Sequence, residues 1–301
     1  MRIAVAATPE VAIPTLEALR LSSHELAFVI TRADAPAGRG RELQASPVAQ
    51  WAQQNDVEVK KPDTAAEIGE LVIGLDLVIT IGYGFILPEN ILTIPKYGFI
   101  NLHFSLLPRW RGAAPVQRAI EAGDNVTGIT VFKLDKGMDT GPIYLSAEVP
   151  LTRDCNSAEL FEILANMATK PVLESLQLIA AGQPPKVQIE SGASRANKLS
   201  KQEGRIAWNT PAITIERKVN AFNPNPGAWS NFRGQNLKID KVRATEEVLP
   251  IGQMDLINKS VLVGTSTNAL ELVEVTPAGK ARLSATAWAN GARITSLDVL
   301  D

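Results

Sequence analysis

The pattern that most restricts the fold is a series of short, almost continuously apolar runs separated by amphipathic stretches over residues 1–190. RIAVAA (2–7), ELAFVIT (25–31), LDLVITIGYG (75–84) and YGFINLHFS (97–105) carry apolar residues at successive positions, not at every second one. Strands of that kind are buried on both faces, so they belong in a mostly parallel sheet sandwiched between helices. The intervening segments fit. Ile13, Leu16 and Leu19 fall at helical spacing in TPEVAIPTLEALRLS. Ser46-Pro47 reads as the N-cap and first-turn proline of a helix through Trp51, and PVQRAIEAG (115–123) is a further helix. VEVKKP (57–62), GITVFKLD (128–135) and PIYLSAEVPL (142–151) add strands. Asn156 and Glu159 cap a helix expected to run unbroken from Ser157 to about Ala181. RADAPAGRGRELQA (32–45) has no periodicity and is expected to be a long loop. The expected class is α/β with a Rossmann-like, mostly parallel sheet over residues 1–188.

The pattern changes in AGQPPKVQIESGASRANKLS, a polar stretch with two adjacent prolines, so residues 189–207 are expected to form a linker. Beyond it, TPAITIERKVNAF reads as one helix with Thr210 as its cap. GAWSNF, NLKIDKVRA, SVLVGT, ALELVEV and ARLSATAWA then read as short strands, with a tight turn at Arg233-Gly234. Residues 208–301 are therefore expected to be an OB-like antiparallel β-barrel, a class that often binds nucleic acids or oligosaccharides. Residues 1–190 hold 16 Lys and Arg against 22 Asp and Glu, a net −6, while residues 191–301 hold 14 against 10, a net +4. A basic module on an acidic partner domain suits an anionic ligand.

Residue counts exclude several chemistries. One cysteine and two histidines cannot supply a disulfide framework or an ordinary zinc site, so no metal is expected. AVAATPE lacks the glycine-rich dinucleotide fingerprint, which argues against a nicotinamide cofactor. No apolar run reaches the ~18–20 residues that span a bilayer, and the chain opens directly on a strand, so no membrane contact and a cytoplasmic location are expected. Cys155, just ahead of a helix cap, is expected to be passive, and His24 a surface loop residue.

The other histidine, His103, has different surroundings. It lies in FINLHFS with Asn101 two residues before it, so both project from one face of a strand near its C-terminal end. In open α/β sheets that edge is where ligands bind. Asp139 lies in LDKGMDTGP between Gly137 and Gly141, where a carboxylate can be aimed inward. An amide donor and an imidazole can both stabilise an oxyanion, and an aspartate beside the imidazole favours its charged form. There is no G-x-S-x-G motif. The trio therefore suits attack by a substrate's own nucleophile, such as an amine, on a carbonyl.

INLHFSLLPRWRGAAPVQRAI followed by GITVFKLDKGMDTGPI closely resembles the methionyl-tRNA formyltransferases, and so do DAPAGRG, YGFILP, KLSKQEGRIAW and AFNPNPGAW, giving nearly full-length coverage. The resemblance implies transfer of the formyl group of 10-formyltetrahydrofolate to the α-amino group of methionyl initiator tRNA. It implies Asn101, His103 and Asp139 as catalytic residues and Ser105, Leu106, Leu107 and Pro108 as the lining of the folate site. It also implies that Gly38, Arg39, Gly40 and Arg41 lie against the tRNA, that the C-terminal domain binds tRNA, and that a monomer takes one tRNA. Where the family often has glycine, this chain has Ala7 and Phe104, and Asn225 replaces a common aromatic. The alternatives are a folate-dependent formyltransferase or formylfolate hydrolase acting on a small amine, and an RNA-binding protein that has lost catalysis.

Overall fold

The computed structural model describes residues 1–37 and 42–301. They divide into two compact units, one of Met1–Pro115, Val126–Val149 and Phe161–Ala196, the other of Val116–Asn125, Pro150–Leu160 and Asn197–Asp301.

The chain begins with β1 (Arg2–Ala7), α1 (Ile13–Arg20) and β2 (Glu25–Ile30). β3 (Ala35–Ala37) and β4 (Glu42–Gln44) pair antiparallel where a loop without secondary structure was expected. α2 (Pro47–Gln54), β5 (Val59–Lys60), α3 (Ala65–Leu71), β6 (Leu77–Ile81), α4 (Glu89–Leu92) and β7 (Phe99–His103) follow. Next come β8 (Arg111–Gly112), α5 (Pro115–Ala122), β9 (Val126–Lys133), β10 (Ile143–Pro150), α6 (Ser157–Met167), α7 (Thr169–Ala180) and β11 (Arg195–Ala196).

The main sheet has the order β10-β9-β7-β6-β1-β2-β5. The pairs β1–β2, β1–β6, β2–β5 and β6–β7 are parallel, as their apolar runs require. β9 runs antiparallel to β7. Burial at every position from Ile3 to Ala7 shows both faces covered: Ala4 and Ala6 pack with Ile68, Ile91 and Phe99, and Ile3, Val5 and Ala7 are as deeply buried on the other side. The strand order reverses between β1 and β6, which makes their C-terminal ends the expected crevice. The turns after these strands meet there. Gly82 sits at φ 56°, and a Cβ on it would come within 2.8 Å of the Pro9 ring.

Local signals explain most element ends. The Ser46 hydroxyl accepts from the Ala49 N–H, a cap of about 1 kcal/mol. Asn156 and Glu159 form the reciprocal capping box: Asn156 Oδ1 accepts from the N–H groups of 158 and 159, and Glu159 accepts from the N–H of 156. The helix they start is not continuous to Ala181. It ends at Met167, and a new one starts at Thr169, because Pro171 has no N–H to extend the first helix and sits in the first turn of the second. Cys155 is buried, and burial together with Glu159 and Asp154 raises its thiol pKa, which leaves it unreactive. His24 is half-buried, with its Nδ1 3.4 Å from the N-terminal amine.

The second unit is built on α8 (Ala212–Phe222), β12 (Ala228–Phe232), β13 (Gln235–Ala244), β14 (Met254–Ile257), β15 (Ser260–Val263), β16 (Leu270–Pro277), β17 (Leu283–Ser284) and α9 (Ala285–Ala292). Its strands pair antiparallel in the order β12-β13-β16-β15-β14, with β17 on β16. This is the antiparallel sheet expected of an OB-like module, with no closed barrel formed among the described residues. Isolated bridges from Val299 to Gln253 and from Leu300 to Phe232 tie the last residues to both ends of that path. The hairpin turns are Arg233-Gly234 and Asn258-Lys259, each with two successive positive φ angles, the geometry that matches strand twist. Two expectations fail here. Thr210 does not cap α8; its hydroxyl donates to the Ala207 carbonyl, and Thr267 receives the Ala212 N–H instead. The run ARLSATAWA is strand only at 283–284, after which Ser284 caps α9 by accepting from the Ala287 N–H.

An ion pair in this unit sets a pH dependence. Arg118 Nη2 donates to Glu203 at 2.7 Å and the Ser200 N–H donates to the same carboxylate, so Glu203 is pulled from 4.5 down to about 2. A depressed carboxylate stabilises the fold above its ordinary pKa and loses that contribution as pH falls toward about 2. The gap in melting temperature between wild type and Glu203→Gln should therefore narrow between pH 6 and pH 2. A gap that stays constant over that range would mean the pair contributes nothing through charge.

Candidate active site

β6 and β7 pair with Thr80 opposite Asn101, and β7 pairs with β9 so that His103 lies opposite Thr130. The Thr80 hydroxyl donates to Asn101 Oδ1 at 2.8 Å. An amide whose oxygen is occupied in this way keeps its NH2 group to donate elsewhere. Thr80 carries no motif of its own in the sequence, and only its register position reveals this role.

His103 is 6% exposed and packs edge-on against Phe132. Its Nε2 lies 2.9 Å from the Trp110 carbonyl. A carbonyl only accepts, so Nε2 carries the proton, and Nδ1 is the nitrogen that faces Asp139. The Asp139 Oδ2 is 3.8 Å from Nδ1, within reach of an ion pair but outside hydrogen-bond distance. The Asp139 Oδ2 accepts instead from the Gly112 N–H at 2.7 Å. Gly112 is required where it stands, because at φ 124° a Cβ would lie 2.7 Å from the Ala196 carbonyl oxygen.

The chain after β7 is held from several sides. Ser105 is fully buried; its hydroxyl donates to the Arg109 carbonyl, and its own carbonyl accepts from Thr130. Ser105 therefore shapes the turn and has no surface to offer a ligand. Leu107 is also buried, with its N–H on Thr130 Oγ1, whereas Leu106 and Pro108 are partly exposed. Leu106 lies over Gly128 of β9, where a Cβ would come within 2.7 Å of it. Phe104 is buried edge-on against Phe161, a packing role on the strand face opposite the polar pair. Gly38, Arg39, Gly40 and Arg41 lie outside the described residues.

The polar stretch after α7 contributes more than its composition suggests. β11 pairs parallel with β8, and Ser194 Oγ accepts from the Trp110 N–H, which fixes the residue whose carbonyl orients His103. Gln188 is buried beneath the Asp139 loop. Among the described residues, no group of three or more His, Cys, Asp and Glu is placed to hold a metal ion, and no helix is long and apolar enough to cross a membrane.

Comparison with known proteins points to one family. The family model described as formyl transferase matches residues 1–176, and the model for the formyl transferase C-terminal domain matches residues 198–293. The methionyl-tRNA formyltransferase of Thermobifida fusca is 42% identical over 301 residues, covering 98% of this chain and 97% of that one. Among solved structures, HypX from Aquifex aeolicus in complex with tetrahydrofolic acid superposes with a TM-score of 0.65 at 19% identity, over 96% of this chain and 47% of that one. Methionyl-tRNA formyltransferase from Clostridium thermocellum gives 0.59 at 16%, over 81% and 94%. Both structures are similar to this chain in fold.

Proposed function

Because this chain belongs to the formyl transferase family, as a full-length relative of the methionyl-tRNA formyltransferases, we propose that Asn101, His103 and Asp139 carry out its formyl transfer. The reaction moves the formyl group of 10-formyltetrahydrofolate to the α-amino group of methionyl initiator tRNA, giving N-formylmethionyl-tRNA for translation initiation. The observation that carries the assignment is the directed amide of Asn101, its oxygen held by Thr80 and its NH2 group left to donate, two residues from a histidine whose Nδ1 faces a carboxylate.

Each residue then has a distinct task. The neutral amine attacks the formyl carbon, which is easy near neutrality because an α-amino group has a pKa of ~8. Asn101 donates to the oxygen that gains charge as the new C–N bond forms, and His103 supports the same oxygen from the other ring nitrogen. Asp139 orients His103 and helps pass the proton released by the amine toward the folate nitrogen that departs. Leu106 and Pro108 supply apolar surface suited to a flat heterocycle, with Ser105 and Leu107 holding their turn.

Gly38, Arg39, Gly40 and Arg41 are assigned to the tRNA, and so is the C-terminal module with its net +4 over residues 191–301. The protein works as a monomer in the cytoplasm. Arg39→Ala should raise the KM for methionyl-tRNA while binding of the formyl donor stays unchanged; equal loss of both would make Arg39 structural. The deciding assay is formyl transfer to methionyl initiator tRNA beside methionyl elongator tRNA and free methionine. Product on the initiator alone supports the assignment. Formylfolate turnover only with a small amine would remove tRNA from it.

A further inference from the structure

Asp139 adopts φ 55°, in the left-handed region where a non-glycine residue persists only when its surroundings hold it. Asp135 holds the turn locally, its Oδ1 accepting from the Gly137 N–H and the Thr140 hydroxyl, and a side chain 49 residues further along holds the Asp139 backbone itself. Gln188 Nε2 donates to the Asp139 carbonyl at 2.9 Å and to the Gly141 carbonyl at 2.7 Å. Its Oε1 accepts from Arg111 Nη2 at 2.8 Å and from Nε at 3.3 Å. The same guanidinium grips Glu190 with Nη1 and Nη2. The amide orientation is fixed by chemistry, since two carbonyls require the NH2 group and a guanidinium requires the oxygen. Gln188 is 8% exposed, so these bonds form with little competition from water.

We propose that Gln188 is a positioning residue for formyl transfer, holding the Asp139 backbone so that its carboxylate stays beside Nδ1 of His103. Gln188 never meets substrate. It acts through two main-chain oxygens that fix the strained turn, and the Gly112 N–H fixes the carboxylate from the other side. Arg111 sets the orientation of Gln188 in turn. The segment that carries Gln188 is thereby part of the catalytic apparatus, although it reads as a connector.

The inference rests on the formyl-transfer reading, and a double-mutant cycle tests it. Gln188→Glu keeps an oxygen for Arg111 but, when ionised, cannot donate to the Asp139 and Gly141 carbonyls. Gln188→Met has a similar length, is neutral and has neither group, and it carries the same test where the charged variant does not fold. Either should lower kcat by about 10²-fold, as expected when a reacting group is displaced by about 1 Å, with KM for the formyl donor unchanged. In an Asp139→Asn background the same substitution should cost nothing further, because the residue it positions no longer carries charge. Wild-type kcat in both variants, a parallel rise in KM, or full additivity with Asp139→Asn would overturn the proposal. If the wild-type chain formylates a small amine and not methionyl-tRNA, the same cycle is read on that amine. The acceptor assignment and the role of Gln188 then stand or fall separately.

Discussion

Replacing His103 by alanine should lower the rate of formyl transfer about 10²–10³-fold, equivalent to roughly 3–4 kcal/mol of lost transition-state stabilisation. The imidazole is 6% exposed, so it is desolvated before substrate arrives, and its Nδ1 faces Asp139 at 3.8 Å. A preorganised donor in such a place costs little to orient when charge develops, which is why its removal falls on kcat. The substitution also removes the hydrogen bond to the Trp110 carbonyl, a loss of about 0.5–1.5 kcal/mol of stability. A lower melting temperature is therefore expected as well. The two effects separate in a single-turnover assay on protein shown to be folded by near-UV circular dichroism. Folded His103→Ala protein that turns over at the wild-type rate would remove His103 from the mechanism.

Replacing Asn101 by aspartate should be at least as damaging, with a loss of ~10³-fold against ~10²–10³-fold for Asn101→Ala. Aspartate keeps the shape of the side chain and an oxygen for the Thr80 hydroxyl, so packing on β6 and β7 is undisturbed. It replaces the NH2 donor with an anionic oxygen, placing negative charge where the reaction generates more of it. Thr80→Val should sit below both, near ~10-fold, because it frees the amide to rotate without removing it. Measured kcat values in the order Thr80→Val above Asn101→Ala above Asn101→Asp would support a directed amide. Equal rates for Asn101→Asp and wild type would mean the amide NH2 group donates to nothing that reacts.

Much of this site could be read along the chain, for local reasons. Asn101 and His103 share a strand face because side chains alternate, and a period of two survives any tertiary context. The continuous apolar runs required a covered parallel sheet, and the capping box at Asn156 and Glu159 is local chemistry that the fold simply keeps. Where the reading failed, a local signal was ambiguous or had a rival. LSATAWA alternates as a strand would over a few residues, yet a serine followed by small helix formers is equally a capped helix, and α9 is what forms. Thr210 had a helix to cap, but Thr267 reached the same N–H from another part of the unit. The short helices α3 and α4 gave too few turns for a period to show.

The sequence by itself determined the class of sheet and set Asn101 and His103 on one face at the C-terminal end of β7. Only the tertiary structure decided how they are held. The Thr80 bond to Asn101, the Ser194 bond that fixes Trp110 and the Gln188 clamp on Asp139 join residues 21, 84 and 49 positions apart. Contacts at such separations leave no periodicity and no spacing rule. A glutamine in a polar stretch has the composition of a linker until the backbone beneath it supplies two carbonyls, and that depends on where the sheet has already brought the chain.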